Sequence, residues 1–141
     1  MKIAFVSSNK YKIQEVQSIL STVGVEVNPI SFKIEELQTE DIKKIVRDKV
    51  LQAFKYIGKP VFVEHTGLYI KGLNGFPGGL TQIFWDNLKA EKFSKIIGNL
   101  EDTSLTAKTV IGYCDSRKIH FFNGSIDGYV PKEPRGNQNF Q

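Results

Sequence analysis

Lys59-Pro60-Val61-Phe62-Val63-Glu64-His65-Thr66-Gly67 is the stretch whose reading sets the fold. A proline-marked break precedes three apolar residues in succession. Neighbouring strand residues face opposite ways, so a strand apolar at successive positions is buried on both sides and belongs at the centre of a sheet. Glu64-His65-Thr66-Gly67 then falls at the predicted C-terminal end of that strand, the end at which open α/β sheets bind ligands. Beyond it, Gly67, Gly72, Gly75, Gly78 and Gly79 with Pro77 form a glycine-dense stretch that reads as a loop or a set of tight turns.

Immediately upstream lies the clearest helical pattern. After Thr39, the residues Ile42, Ile45, Val46, Val50, Ala53, Phe54 and Ile57 keep to one face, until Gly58-Lys59-Pro60 stops the helix. At the start of the chain Lys2 to Val6 reads as a strand running into Ser7-Ser8-Asn9, all good helix caps. Ile13, Val16 and Leu20 then form a stripe on a helix reaching about Thr22. Val25 to Phe32 turns toward a second strand, which Pro29 confines to an edge or breaks. Downstream, a helix from Thr81 to Asn99 is expected to bury Ile83, Phe84, Leu88, Phe93, Ile96 and Ile97. Leu105 to Tyr113 and Lys118 to Tyr129 read as two strands of a long hairpin. The tail from Pro131 to Gln141 has no period and is expected to be irregular. An α/β class follows, in a single domain over residues 1–141.

Composition narrows the function classes. With 40% apolar and 24% charged residues the chain is an ordinary globular one, which excludes coiled coil, collagen and disorder. No apolar run approaches the roughly 20 residues that cross a bilayer, and the opening MKIAFVSSNK turns polar too soon for a signal peptide. A soluble cytoplasmic protein with no membrane partner is expected. Cys114 is the single cysteine, so it forms no internal disulfide and reads as an inert strand residue. The 19 basic and 15 acidic side chains are interspersed, which argues against a nucleic-acid surface while a net charge of +4 suits a small anion.

Three places could carry chemistry. Ser7, Asn9 and Lys12 lie where a strand gives way to a helix, a setting whose spacing alone favours an N-cap with a solvated lysine over a phosphate site. Glu35, Glu36, Glu40 and Asp41 precede the long helix, where carboxylates complement its dipole or hold Mg2+. Glu64 and His65 stand at the strand end, where a histidine serves as base, metal ligand or simple hydrogen-bonding group. His120, in the outer hairpin, reads as a surface histidine.

Five ordered segments together resemble the inosine triphosphate pyrophosphatase family, also called Ham1-like, over essentially the whole chain. Ser7-Ser8-Asn9-Lys10-Tyr11-Lys12-Ile13-Gln14-Glu15 resembles the family's (T/S)-x-N-x-x-K-x-x-E. Glu35-Glu36-Leu37-Gln38 resembles its P-E-(I/Y)-Q, and Glu64-His65-Thr66-Gly67-Leu68 its (E/D)-D-(T/S)-G-L. Leu73-Asn74-Gly75-Phe76-Pro77-Gly78 is similar to L-x-G-x-P-G, and Pro134-Arg135-Gly136 with Phe140 to P-R-G-x-x-x-F. The resemblance implies an elongated mixed sheet with flanking helices and a cleft between two lobes, a homodimer or higher homo-oligomer, and hydrolysis of noncanonical purine nucleoside triphosphates (ITP, XTP, dITP) to monophosphate and pyrophosphate. It also implies Mg2+ as cofactor, ligated by Glu36. Ser7, Asn9, Lys12 and Lys49 would grip the phosphates, Phe140 would stack on the purine, and Glu64 and His65 would stand at the catalytic position.

Two departures qualify that expectation. His65 occupies the place of the motif's acid, and imidazole is a poor partner for hard Mg2+, so binding of Mg2+ is expected to weaken and Mn2+ to substitute. The chain also stops at Gln141, before the family's G-(W/Y)-D-P-x-F and S-H-R segments, and reads as C-terminally truncated. A partly uncovered sheet would recruit a second chain. Reduced, altered or lost hydrolysis is therefore expected, with a noncatalytic scaffold as the alternative.

Overall fold

A computed structural model describes residues 1–135. The strands are β1 (Lys2–Val6), β2 (Glu26–Ile30), β3 (Val61–Ile70), β4 (Pro77–Gly78), β5 (Ser104–Cys114) and β6 (Ile119–Tyr129). The helices are α1 (Lys10–Ser21), α2 (Ile42–Ile57) and α3 (Thr81–Ile97), and a single 3-10 turn spans Lys71–Leu73. The six-stranded sheet has the order β2-β1-β3-β5-β6, with β4 paired to β3. β1 runs parallel to both β2 and β3, while β4 is antiparallel to β3, so the sheet is mixed. β3 is central, as its apolar run predicts, and β2 is an edge strand that accommodates Pro29 opposite Phe5.

The described chain forms two compact units. Met1–Leu37, Lys43–Glu64 and Ile111–Phe122 make the first; Gln38–Ile42, His65–Val110 and the segment from Asn123 onward make the second. In the first unit Phe5 stacks on Phe62 with ring centroids 4.5 Å apart, and α1 lays Ile13, Val16 and Leu20 on that cluster with Ile111 and Tyr113. On the opposite face α2 buries Ile45, Val46, Val50 and Ala53. A Cβ at Gly112 would come within 2.6 Å of Val46, so this glycine lets α2 approach β5 closely. Alternation along β3 thus explains its all-apolar start: Phe62 faces α1, while Val61 and Val63 face the other way.

In the second unit Ile70, Phe93, Ile97 and Val130 form the core, joined by Leu68, Phe84, Trp85, Leu88 and Leu105. Two expectations fail here. The helix from Thr81 is interrupted at Lys89 (φ 61°, ψ 171°), and this break in phase leaves Ile83 and Ile96 half exposed, at 50% and 51%, rather than buried. Glu64-His65-Thr66-Gly67 also lies within β3 rather than at its end, because the strand continues to Ile70. The continuation is held by pairing with β4, where Leu68 stands opposite Gly78 and Tyr69 opposite Pro77. Thr81 Oγ1 pins the junction, accepting from the Leu68 N–H at 2.8 Å and donating to the Gly78 carbonyl at 2.6 Å.

Candidate functional site

The turn between β1 and α1 is capped by its own side chains. Asn9 Oδ1 accepts from the backbone N–H of Tyr11 at 3.0 Å and of Lys12 at 3.2 Å, and Ser7 Oγ accepts from the Asn9 N–H at 3.2 Å. The N-cap is formed as read, whereas the lysine that follows it is paired with a carboxylate rather than solvated. What this corner offers an anion is therefore chiefly the ammonium group of Lys12 and the dipole of α1, with the Ser7 hydroxyl and the Asn9 side-chain N–H as further donors.

Lys12 leads to a chain of ion pairs within the first unit. Its Nζ lies 2.8 Å from Glu64 Oε1, with side-chain exposures of 17% and 11%, low enough to weaken solvent screening of the pair. Lys49, from α2, donates to the Glu64 backbone carbonyl at 3.0 Å and to Glu36 Oε1 at 3.1 Å. Two ion pairs, Lys12–Glu64 and Lys49–Glu36, are thus joined into one array through the Glu64 backbone carbonyl, with residues contributed by α1, β3, α2 and the segment before α2. Local sequence suggested Lys12, Glu36 and Glu64 separately and the family resemblance added Lys49, but the pairing of Lys12 with Glu64 was not anticipated. A signal existed: Phe62 and Glu64 share a face of β3, and Phe62 belongs to the cluster that α1 covers.

His65 points the other way along the strand and lies in the second unit. It is 4% exposed, and its Nε2 sits 3.3 Å from the Gly79 carbonyl oxygen; because a carbonyl only accepts, Nε2 carries the proton. Adjacent strand positions thus separate the two proposed catalytic residues, Glu64 in the ion-pair array and His65 against the Gly79 backbone. Phe140 lies outside the described residues.

The donor set fits a hard divalent cation. Glu36 offers a carboxylate beside Lys49 and Glu64 one beside Lys12, and Mg2+ takes one or two protein carboxylates and fills its remaining positions with water and phosphate oxygens. Among the described residues no three His, Cys, Asp or Glu side chains gather as a closed metal cage would require.

A mixed sheet flanked by helices, with charged groups collected at a strand-to-helix corner, defines an α/β protein of the kind seen in a Ham1 protein from Coxiella burnetii. That solved structure superposes with a TM-score of 0.80 at 24% identity, over 99% of this chain and 78% of its own. The Ham1 family model matches residues 3–141, and the chain belongs to the Ham1 family. It is 36% identical to a dITP/XTP pyrophosphatase of Methanosarcina acetivorans, over 99% of this chain and 76% of that one. It is 34% identical to an inosine triphosphate pyrophosphatase of Yarrowia lipolytica, over 99% of this chain and 74% of that one. No helix among the described residues is long and apolar enough to cross a membrane.

Proposed function

We propose that this protein binds noncanonical purine nucleoside triphosphates such as ITP, XTP and dITP and hydrolyses them to the monophosphate and pyrophosphate. The observation that carries the reading is the two ion pairs Lys12–Glu64 and Lys49–Glu36, joined into one array through the Glu64 backbone carbonyl. A metal–polyphosphate complex suits such an array because its anionic part takes the ammonium groups and its cation takes a carboxylate, so neither half is left unpaired. Lys12 and Lys49 bind the phosphates, Ser7 and Asn9 line the corner beside them, and Phe140 stacks on the base. Mg2+, held by Glu36, supplies charge neutralisation and polarisation at the phosphoryl group. Glu64 accepts the proton of the attacking water at a carboxylate oxygen. The water oxygen bonds to the α-phosphorus, and the bridging oxygen leaves with pyrophosphate. His65 keeps the Gly79 segment against β3. The working form is a cytoplasmic homodimer or larger homo-oligomer.

The test measures nucleotide binding by calorimetry and pyrophosphate release from ITP, XTP and dITP in Mg2+. ITP is expected to bind more tightly with Mg2+ present than without it. Glu64→Gln should lower turnover about a hundredfold or more while binding persists, and Lys12→Ala should weaken binding itself. Absence of ITP binding both with and without Mg2+ would refute the proposal.

A second reading, nucleotide binding with little or no turnover in Mg2+, is favoured by the buried imidazole of His65 at the motif's acidic position. It predicts that His65→Asp raises pyrophosphate release in Mg2+, and that the wild type releases pyrophosphate faster in Mn2+.

A further inference from the structure

The first unit also contains a cavity of about 530 Å³ between one flank of α2 and the turn of the β5–β6 hairpin. None of the four residues of the ion-pair array lines it. Leu51 and Phe54 of α2, with Ile119 of β6, give it an apolar wall. Arg47 of α2 and Arg117 and Lys118 of the turn bring three cations to the same space, and no acidic residue lines it.

The turn's own acid is committed elsewhere. Asp115 Oδ2 lies 2.7 Å from His120 Nε2, while Oδ1 accepts the backbone N–H groups of Arg117 at 2.8 Å and of Lys118 at 2.9 Å. These bonds shape the turn through its backbone and do not engage the side chains of Arg117 and Lys118, which line the cavity. Among the described residues, none of the three cationic side chains is held in an ion pair. Asp48, beside Arg47 in sequence, accepts instead from Gln52 at 2.7 Å.

A space of several hundred Å³ with an apolar wall and a few convergent polar groups has the size and make-up of a small-molecule site. Guanidinium forks add a preference for planar or multidentate oxyanions, and an aromatic ring offers a surface for an apolar body. We infer that this cavity binds an amphipathic organic anion, an aromatic or aliphatic body ending in a phosphate or carboxylate, at a site separate from the nucleotide array. Arg47, Arg117 and Lys118 take the head group, and Leu51, Phe54 and Ile119 take the body.

The experiment is calorimetric titration of the full chain with 1-naphthyl phosphate, 1-naphthoate, 1-naphthol and inorganic phosphate. Saturable one-to-one binding is expected for the naphthyl anions, and the order of phosphate and carboxylate identifies the preferred head group. Neutral naphthol and inorganic phosphate should each bind at least about tenfold more weakly, since each lacks one of the two contributions. The double variant Arg117→Glu with Lys118→Glu should weaken naphthyl phosphate about tenfold or more. The milder Arg117→Gln with Lys118→Gln, which keeps the backbone donors to Asp115, should act in the same direction. Lys12→Ala should leave this binding unchanged. The inference is overturned by no saturable binding to the wild type, by equal binding of naphthol, or by binding that Lys12→Ala abolishes and the turn variants leave intact.

Discussion

Gly67 shows how one residue lets β3 continue. A Cβ there would meet the Gly78 carbonyl oxygen at 2.7 Å and its carbon at 3.0 Å, both backbone atoms that cannot rotate aside. Gly67→Ala should cost about 1–3 kcal/mol in urea denaturation through overpacking. Gly124→Ala, where no atom lies within 4 Å, should stay within about 0.5 kcal/mol. Asp115 gives a pH-dependent counterpart. The hydrogen bond to His120, and then the backbone N–H groups of Lys118 and Arg117, hold its carboxyl well below the usual carboxylate range. A lowered folded-state pKa stabilises above the unfolded value of about 4, and that stabilisation is lost as pH falls from there toward the folded value. Asp115→Asn should therefore be less stable than the wild type near neutrality, and the gap in urea midpoint should close in acid.

At the scale of the element, α2 and α3 separate what periodicity foresees from what it does not. The stripe on α2 is buried as read, and Ile45, 1% exposed, should cost about 2–5 kcal/mol on truncation to alanine. An equally apolar residue of α3, Ile83, should cost less than about 1 kcal/mol, because half of it already meets water. Thermal or urea unfolding of the two variants checks the contrast. A uniform helical period over residues 81–99 implies one buried face; the interruption at Lys89 resets the phase, and nothing in the local residues announces it. The cap of α1 was legible for the opposite reason, since Asn9 reaches donors only two and three residues away.

For the molecule as a whole, the last strand of the sheet carries the prediction. β6 ends the strand order and exposes Phe122, Ile126 and Tyr129. An edge strand that carries an exposed apolar side chain such as Ile126 tends to recruit another chain. Light scattering after size-exclusion chromatography should give a homodimer or larger species, and Ile126→Lys should shift it toward monomer. A wild-type chain that stays monomeric would remove the oligomer from the proposed function.

The residues alone determined the order of the three helices and of every strand but β4, the central place of Val61-Phe62-Val63, the restriction of Pro29 to an edge or a break, and the spaced motifs that mark the Ham1 family. Each of these depends on neighbours within a few positions, on a proline's missing donor, or on a pattern repeated along the chain. Tertiary structure decided the full length of β3, the exposure of Ile83 and Ile96, and the joining of Lys12, Glu64, Lys49 and Glu36 into one array. Those outcomes depend on which distant segments meet: β3 is extended by pairing with β4, and Lys12 finds Glu64 because α1 covers the face of β3 on which Phe62 and Glu64 lie.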